Sequence, residues 1–230
     1  MRFAACLSCV LLLCSTPASH ATAQVVDDSG LWLAIFGQDD LRGPKGKWKW
    51  WFDGHLRFLE DTDGFNQSIV RPGIGRKIGG NWTAWAGYGW IHTSPIAGDD
   101  YDEHRLWQQL TWFHNLGSWT FALRPRLEQR LVETGDDLGW RYRQLVRAQR
   151  NFPVFPRFSF VAWDEFFYHL NDTDWGGKTG FDQNRVFVGL GVKRHAHSRL
   201  RSEIGYLNQS VELPAVANRS NHILSINLYY

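Results

Sequence analysis

Little in this 230-residue chain invites a disulfide or a thiolate. Its three cysteines, Cys6, Cys9 and Cys14, all fall in one N-terminal segment. The rest of the chain therefore excludes a disulfide scaffold and a cysteine metal centre. Long apolar runs are missing too. Beyond that first segment the longest, Leu31 to Phe36, is strand-sized and far short of the ~18 residues of a membrane helix. Charge of one sign is not in surplus: 25 Lys and Arg face 23 Asp and Glu, a net charge of +2, which gives no global footprint for nucleic acid. Helical periodicity is absent throughout, as are linkers, low-complexity tracts and any sign of a second domain.

The first segment has the layout of a secretory leader. Arg2 supplies a positive start, Ala4 to Leu13 an apolar stretch too short to span a bilayer, and Ala21-Thr22-Ala23 a small-x-small cleavage site. Residues 1–23 are thus expected to be a signal peptide and 24–230 a single domain. Lipid attachment at Cys14 is disfavoured by the bulky Leu13 before it. Losing Arg2 leaves 24 basic residues against 23 acids, a net charge of +1.

What remains is a series of alternating segments punctuated by turn residues, near 29–37, 47–60, 66–77, 82–92, 103–113, 119–133, 139–152, 157–170, 181–194, 198–211 and 222–230. In 47–60, Trp50, Phe52, Leu56 and Phe58 share one face and Lys49, Asp53, His55 and Arg57 the other. In 119–133, Trp119, Phe121, Leu123, Leu127 and Leu131 oppose Arg124, Arg126, Glu128 and Arg130. The segment 157–170 is less regular: Asp164 falls among Phe158, Phe160, Phe166 and Tyr168, which suggests a bulge or a shifted register. The last segment carries Leu224, Ile226, Leu228 and the terminal Tyr230 on one face and Ser225 and Asn227 on the other. This is the pattern of a C-terminal insertion signal of an outer-membrane barrel. Shorter turns (79–81, 115–118, 153–156, 196–197) alternate with longer loops (94–102, 171–180, 212–221). Thirteen tryptophans fit aromatic girdles at a membrane–water interface.

These features predict an all-β, antiparallel transmembrane β-barrel in a Gram-negative outer membrane. Eleven segments are countable, but bacterial single-chain barrels normally have an even number. The expectation is therefore about twelve strands, with ten as the alternative. A soluble periplasmic barrel or sandwich that binds a ligand would show the same alternation with its apolar face turned inward. Long strands and aromatic crowding favour the membrane form.

The stretches Glu103 to Gln109 (EHRLWQQ), Arg124 to Arg130 (RPRLEQR) and Phe181 to Arg185 (FDQNR), with Gly189-Leu190-Gly191 and Gly205 to Gln209 (GYLNQ), resemble the bacterial family called domain of unknown function 2490. The resemblance runs over nearly the whole chain after the leader. It implies a barrel fold and an outer-membrane location, and it brings no active-site residues with it.

If the apolar face meets lipid, the charged face lines the lumen. That face holds Arg57, Arg71, Arg105, Arg124, Arg126, Arg130, Arg141, Arg143, Arg147, Arg185 and Arg201, with Glu103, Glu128, Glu165 and Glu203. An arginine surplus suits a narrow, porin-like passage for small anionic solutes, because guanidinium forks grip carboxylate and phosphate at two points. The same residues, paired with one another, would instead plug a narrow structural barrel. A second candidate is His92-x-Ser94 at a strand end, with Asp102 or His104 placed to orient the imidazole. It resembles the lipid-facing His-x-Ser of outer-membrane phospholipases and lipid A deacylases, although Pro95 follows at once. His195 and His197 flank a turn with no carboxylate near in sequence and read as solvated rather than as metal ligands. No cofactor or metal site is expected. The expected partners are outer-membrane lipid, the secretion machinery that reads the leader, and the barrel-insertion machinery that reads the last strand.

Overall fold

A computed structural model describes residues 25–41, 43, 46–62, 64–195, 198–212 and 218–230. The expected leader and the 196–197 turn lie outside the described residues. Among those described, every regular element except one 3-10 turn (Glu60–Thr62) is a strand. In order these are β1 (Val25–Asp40), β2 (Trp48–Leu59), β3 (Gly64–Gly79), β4 (Trp82–Thr93), β5 (Tyr101–Leu116), β6 (Trp119–Val132), β7 (Gly139–Asn151), β8 (Phe158–His169), β9 (Gly180–Lys193), β10 (Arg201–Val211) and β11 (Asn218–Tyr229).

Each strand pairs antiparallel with its neighbour in sequence, and β1 closes the cylinder on β11. That last pairing is parallel, running from Val25↔Asn218 to Phe36↔Tyr229. Among the described residues the count is eleven, close to the expected about twelve or ten. An up-and-down meander with an odd number of strands must bring its first and last strands together in the same direction, and it does. As a result β1 starts at one rim, the N-terminal rim, and β11 ends at the other, the C-terminal rim.

The expected alternation of short and long connections holds only in part. Two-residue turns at 80–81 and 117–118 lie on the C-terminal rim, but so do the longer 41–47 and 194–200. The 80–81 turn is tight because Gly80 and Asn81 both adopt positive φ, 57° and 67°, the geometry whose twist matches flanking strands.

The outer wall is apolar. Leu56, Val70, Ile74, Leu106, Leu110, Val146, Val188, Leu190 and Ile204 are all exposed around its waist. The row Leu224, Ile226, Leu228 and Tyr230 is exposed as well. Outward aromatics flank this belt: Trp48, Trp82, Trp112 and Trp119 toward the C-terminal rim, and Trp90, Trp140, Phe166, Tyr168 and Tyr206 toward the other. The interior carries the buried charges, with apolar clusters set among them. This polarity is the reverse of a soluble barrel, whose apolar faces would point inward.

Asp164 needs no bulge. The β8–β9 register runs unbroken through Asp164↔Val186 and shifts only at Phe167/Tyr168. Asp164 faces outward and takes both carboxylate oxygens to Asn184 Nδ2, 3.2 Å each.

Not all tryptophans belong to the girdles. Trp51, Trp85 and Trp107 form a buried cluster inside the barrel. Trp32 packs inside with Val161, Phe187, Leu207 and Ile223. Room for the Trp107 indole comes from Gly73 and Gly87, where a Cβ would strike the ring, and Gly75 does the same for Trp85. Glycine on the inner face of a strand is here a seat for an aromatic ring from a nearby strand.

Candidate functional site

Period-2 geometry brings the charges together. Arg124, Arg126, Glu128 and Arg130 succeed one another on the inner face of β6, and the register sets Glu128 opposite Arg141 and Arg126 opposite Arg143. Two like charges directly opposed would repel. Glu128, fully buried, reconciles them. It accepts from Arg141 Nη2 at 2.8 Å and Arg143 Nη1 at 2.6 Å, with Arg126 Nη1 at 3.6 Å.

The remaining carboxylates work similarly. Glu165 meets Arg143 Nη2 at 3.0 Å and Arg124 Nη2 at 3.1 Å. Glu103 holds Arg105 and Arg130 through Nε at 2.5 and 2.6 Å. Glu203, on β10, reaches across the lumen to Arg147 and sits 3.1 Å from Arg201 Nε. Two acids outside the predicted set join them. Asp53 accepts from Arg71 Nε at 2.7 Å and Trp51 Nε1 at 2.5 Å, and Asp182 accepts from Arg141 Nη1 at 2.9 Å. A signal for Asp53 existed, since it shares a face with Arg57. Asp182 lies at the β8–β9 irregularity, where parity is no guide.

The eleven arginines expected in the lumen thus face these six carboxylates. Two are left without an ion pair among the described residues, Arg57 and Arg185. Arg57 Nη1 donates to Gln67 Oε1 at 2.8 Å and Arg185 Nη2 to Gln183 Oε1 at 3.0 Å. Both guanidinium groups lie over the Trp32 ring, 3.9 and 4.9 Å from its centroid, the geometry in which a cation is attracted to an indole face. In the register Arg185 stands opposite Glu165, but Glu165 turns to Arg124 and Arg143.

Two cavities occupy the lumen. The one toward the N-terminal rim, about 260 Å³, is walled by polar side chains such as Gln67, Glu103, Arg105, Gln209 and Asn221. The other, about 400 Å³, reaches the C-terminal rim at Asp39, Arg199 and Tyr230, and adds Trp51, Leu145, Trp163 and Leu207 to its arginines. Trp32, Arg57, Arg71, Arg143 and Arg185 line both. They form the waist between the two cavities.

At the N-terminal rim, His92 and Asp102 meet across the β4–β5 pair, with Nδ1 2.7 Å from Oδ1. Trp90 Nε1 donates to the same carboxylate at 3.0 Å. The other imidazole nitrogen of His92 faces Asp100 at 3.5 Å. Ser94 stays out of this group. Its backbone pairs with Asn66, and no hydrogen bond joins it to His92. His104 is engaged by the Tyr88 hydroxyl instead. The described residues contain no cluster of three or more potential metal ligands.

Comparison with solved structures finds OmpT, an outer membrane protein of Vibrio cholerae, folded in vitro in its trimer form. It has a TM-score of 0.42 and 13% identity over 71% of this chain and 54% of that one. OmpT of Vibrio cholerae expressed in the outer membrane matches with a TM-score of 0.41 and 13% identity, over 74% of this chain and 58% of that one. The chain spans little more than half the length of either. An uncharacterized protein of Methylorubrum extorquens is 33% identical over 223 residues, 95% of this chain and 94% of its own. The profile of the family described as protein of unknown function (DUF2490) matches residues 29–221, and the chain belongs to that family.

Proposed function

We propose that this protein is a barrel of the Gram-negative outer membrane that admits small anions to an arginine-rich lumen. One observation carries the reading: a cylinder with an apolar outside and a surplus of arginine over carboxylate inside. The outside suits lipid. The positive interior concentrates anions, because low-dielectric walls focus the field of lumen charges. The leader supports export, and the outward row Leu224, Ile226, Leu228 and Tyr230 is what barrel-insertion machinery would receive. The waist restricts passage to small solutes.

A second reading, a closed structural barrel, is favoured by the ion pairs that engage nine of the eleven arginines. Single-barrel conductance in a planar bilayer under a KCl gradient separates the two. An open lumen should give a reversal potential on the anion side, and changing Arg124 and Arg126 to Glu should move it toward cations. Protein that shifts on a gel only when boiled, yet never conducts, would leave the closed barrel standing.

A further inference from the structure

The two cavities differ in chemistry, and the difference falls at the two arginines that lack a carboxylate. Arg57 and Arg185 are each 7% exposed. Each is held by a neutral amide oxygen rather than by an acid, and that oxygen is itself fixed. Gln67 donates through Nε2 to Thr93 Oγ1 at 2.8 Å. Gln183 accepts from Gln209, which in turn accepts from Asn221 Nδ2 at 3.1 Å. The amides orient the guanidinium groups without forming an ion pair. Nε of Arg57 and Nε of Arg185 donate to no protein acceptor. Buried donors ordinarily find partners, and a buried unpaired cation is costly.

On one side of this charged waist the wall is polar. On the other it is largely apolar: Trp51, Ala122, Leu145, Trp163 and Leu207 face a cavity of about 400 Å³ that opens at the C-terminal rim. A volume of that order is typical of small-molecule sites. A bare inorganic anion would satisfy the arginines and leave those walls against water. A neutral apolar molecule would satisfy the walls and leave the arginines unpaired. A single ligand satisfies both if it carries a carboxylate at one end and a compact apolar body at the other.

We propose that the C-terminal-side cavity binds an amphiphilic carboxylate, with its head at Arg57 and Arg185 and its body against Trp163, Leu145 and Leu207. This deepens the anion-admitting reading and rests on it for how the ligand arrives. It assigns the lumen a substrate class: small organic acids with an aromatic or branched apolar body, in preference to inorganic phosphate or chloride. Trp32 takes part by holding both guanidinium groups over its ring, so that the two forks are already gathered when the head enters.

The test uses the detergent-purified full chain and isothermal titration at neutral pH with three probes: 4-phenylbutyrate, the neutral 4-phenylbutanol, and inorganic phosphate. Saturable binding of 4-phenylbutyrate, about tenfold or more tighter than either other probe, is expected from one charge-assisted anchor plus apolar burial. Arg185→Gln or Arg57→Gln should weaken 4-phenylbutyrate about tenfold, and Leu207→Gln should weaken it while leaving phosphate unchanged. Phosphate binding as tight as 4-phenylbutyrate, equal binding of the alcohol, or no saturable heat would each overturn the site. The three-probe comparison on the unmodified protein decides even if a variant fails to fold. Conductance without 4-phenylbutyrate binding removes the site and leaves the pore, whereas binding without conductance removes the pore and leaves the site.

Discussion

Leu31 of β1 pairs with Leu224 of β11 in the same chain direction, and both side chains point outward on the belt. Closure of the barrel depends on this one parallel seam. The chain after Cys14 has no cysteine, so an engineered pair among the strands reports the seam with little background. Leu33→Cys with Ile226→Cys, partners in register, should form a disulfide under mild oxidation, since adjacent strands bring Cα atoms within bridging distance. Leu33→Cys with Leu228→Cys, one pair out of register, should cross-link far less. Failure of the in-register pair in folded protein would mean that another segment stands between β1 and β11.

Glu128 is the acid on which most charge converges. With Arg141 and Arg143 hydrogen-bonded to it and Arg126 close by, Glu128→Gln leaves cations buried beside one another. Breaking a buried pair from one side typically costs about 3–5 kcal/mol. The expected result is a lower midpoint of urea unfolding in detergent and a boiled-type gel mobility reached at lower temperature. Arg199→Gln, which removes an exposed ion pair to Asp39 at the C-terminal rim, should cost about 1 kcal/mol or less. Equal effects of the two would show that Glu128 contributes no more than a rim pair.

All eleven strands were legible as alternating segments, because a side-chain period of two survives wherever one face is apolar and the other charged. The expected count of about twelve or ten lies one away from the eleven described, because the even count is a regularity of other barrels that no residue here states. The interior tryptophans were the harder part. Trp51 follows Trp50 and so must face the other way, but its fate depends on Trp85 and Trp107, which only the closed sheet brings beside it. The glycines Gly73, Gly75 and Gly87 were the available trace of those rings. Ion partners such as Arg147 and Glu203 belong to β7 and β10, which are not neighbours, and alternation within a strand says nothing about distance across a lumen. Equally invisible was that Arg57 and Arg185 would be the two left to amides, since Arg185 stands opposite an acid in the register.

Gly87 offers a clean check on the inner packing. A Cβ there would meet both the Trp107 ring and the Pro72 carbonyl oxygen. Neither is the free end of a flexible chain, as the Trp107 indole is fully buried and its Nε1 donates to Tyr88 O at 3.1 Å. Gly87→Val should therefore destabilise by about 1–3 kcal/mol through overpacking. Ala86→Val, next in sequence but exposed on the outer wall, should be near neutral. Equivalent unfolding midpoints for the two would mean that the Trp107 seat yields to an added side chain.

At the N-terminal rim two loops are joined at Asp174. Its carboxylate accepts backbone N–H bonds from Asp136 at 2.9 Å and Asp137 at 3.1 Å, and its own N–H donates to Asp137 at 2.8 Å. The next residue, Trp175, donates to Asp137 O at 2.8 Å and lies under the Arg130 guanidinium, 4.8 Å away. Loop 170–179 is thereby tied to loop 133–138 and to the Glu103–Arg130 pair. The backbone donors, Asp136 first and Asp137 second, hold the Asp174 carboxyl below its usual value of 3.8. A depressed carboxylate contributes where it is ionised, so the tie is fully present above about pH 4 and is lost only as pH falls through the lowered value. Amide protection factors at Asp136 and Asp137, corrected for intrinsic exchange, should be level from pH 5 to pH 8 and drop in stronger acid. Asp174→Ala should remove that protection at neutral pH and raise any conductance noise without changing charge preference, because the lumen arginines are untouched. Protection that survives the substitution would mean that Trp175, seated under Arg130, holds the loops without the carboxylate.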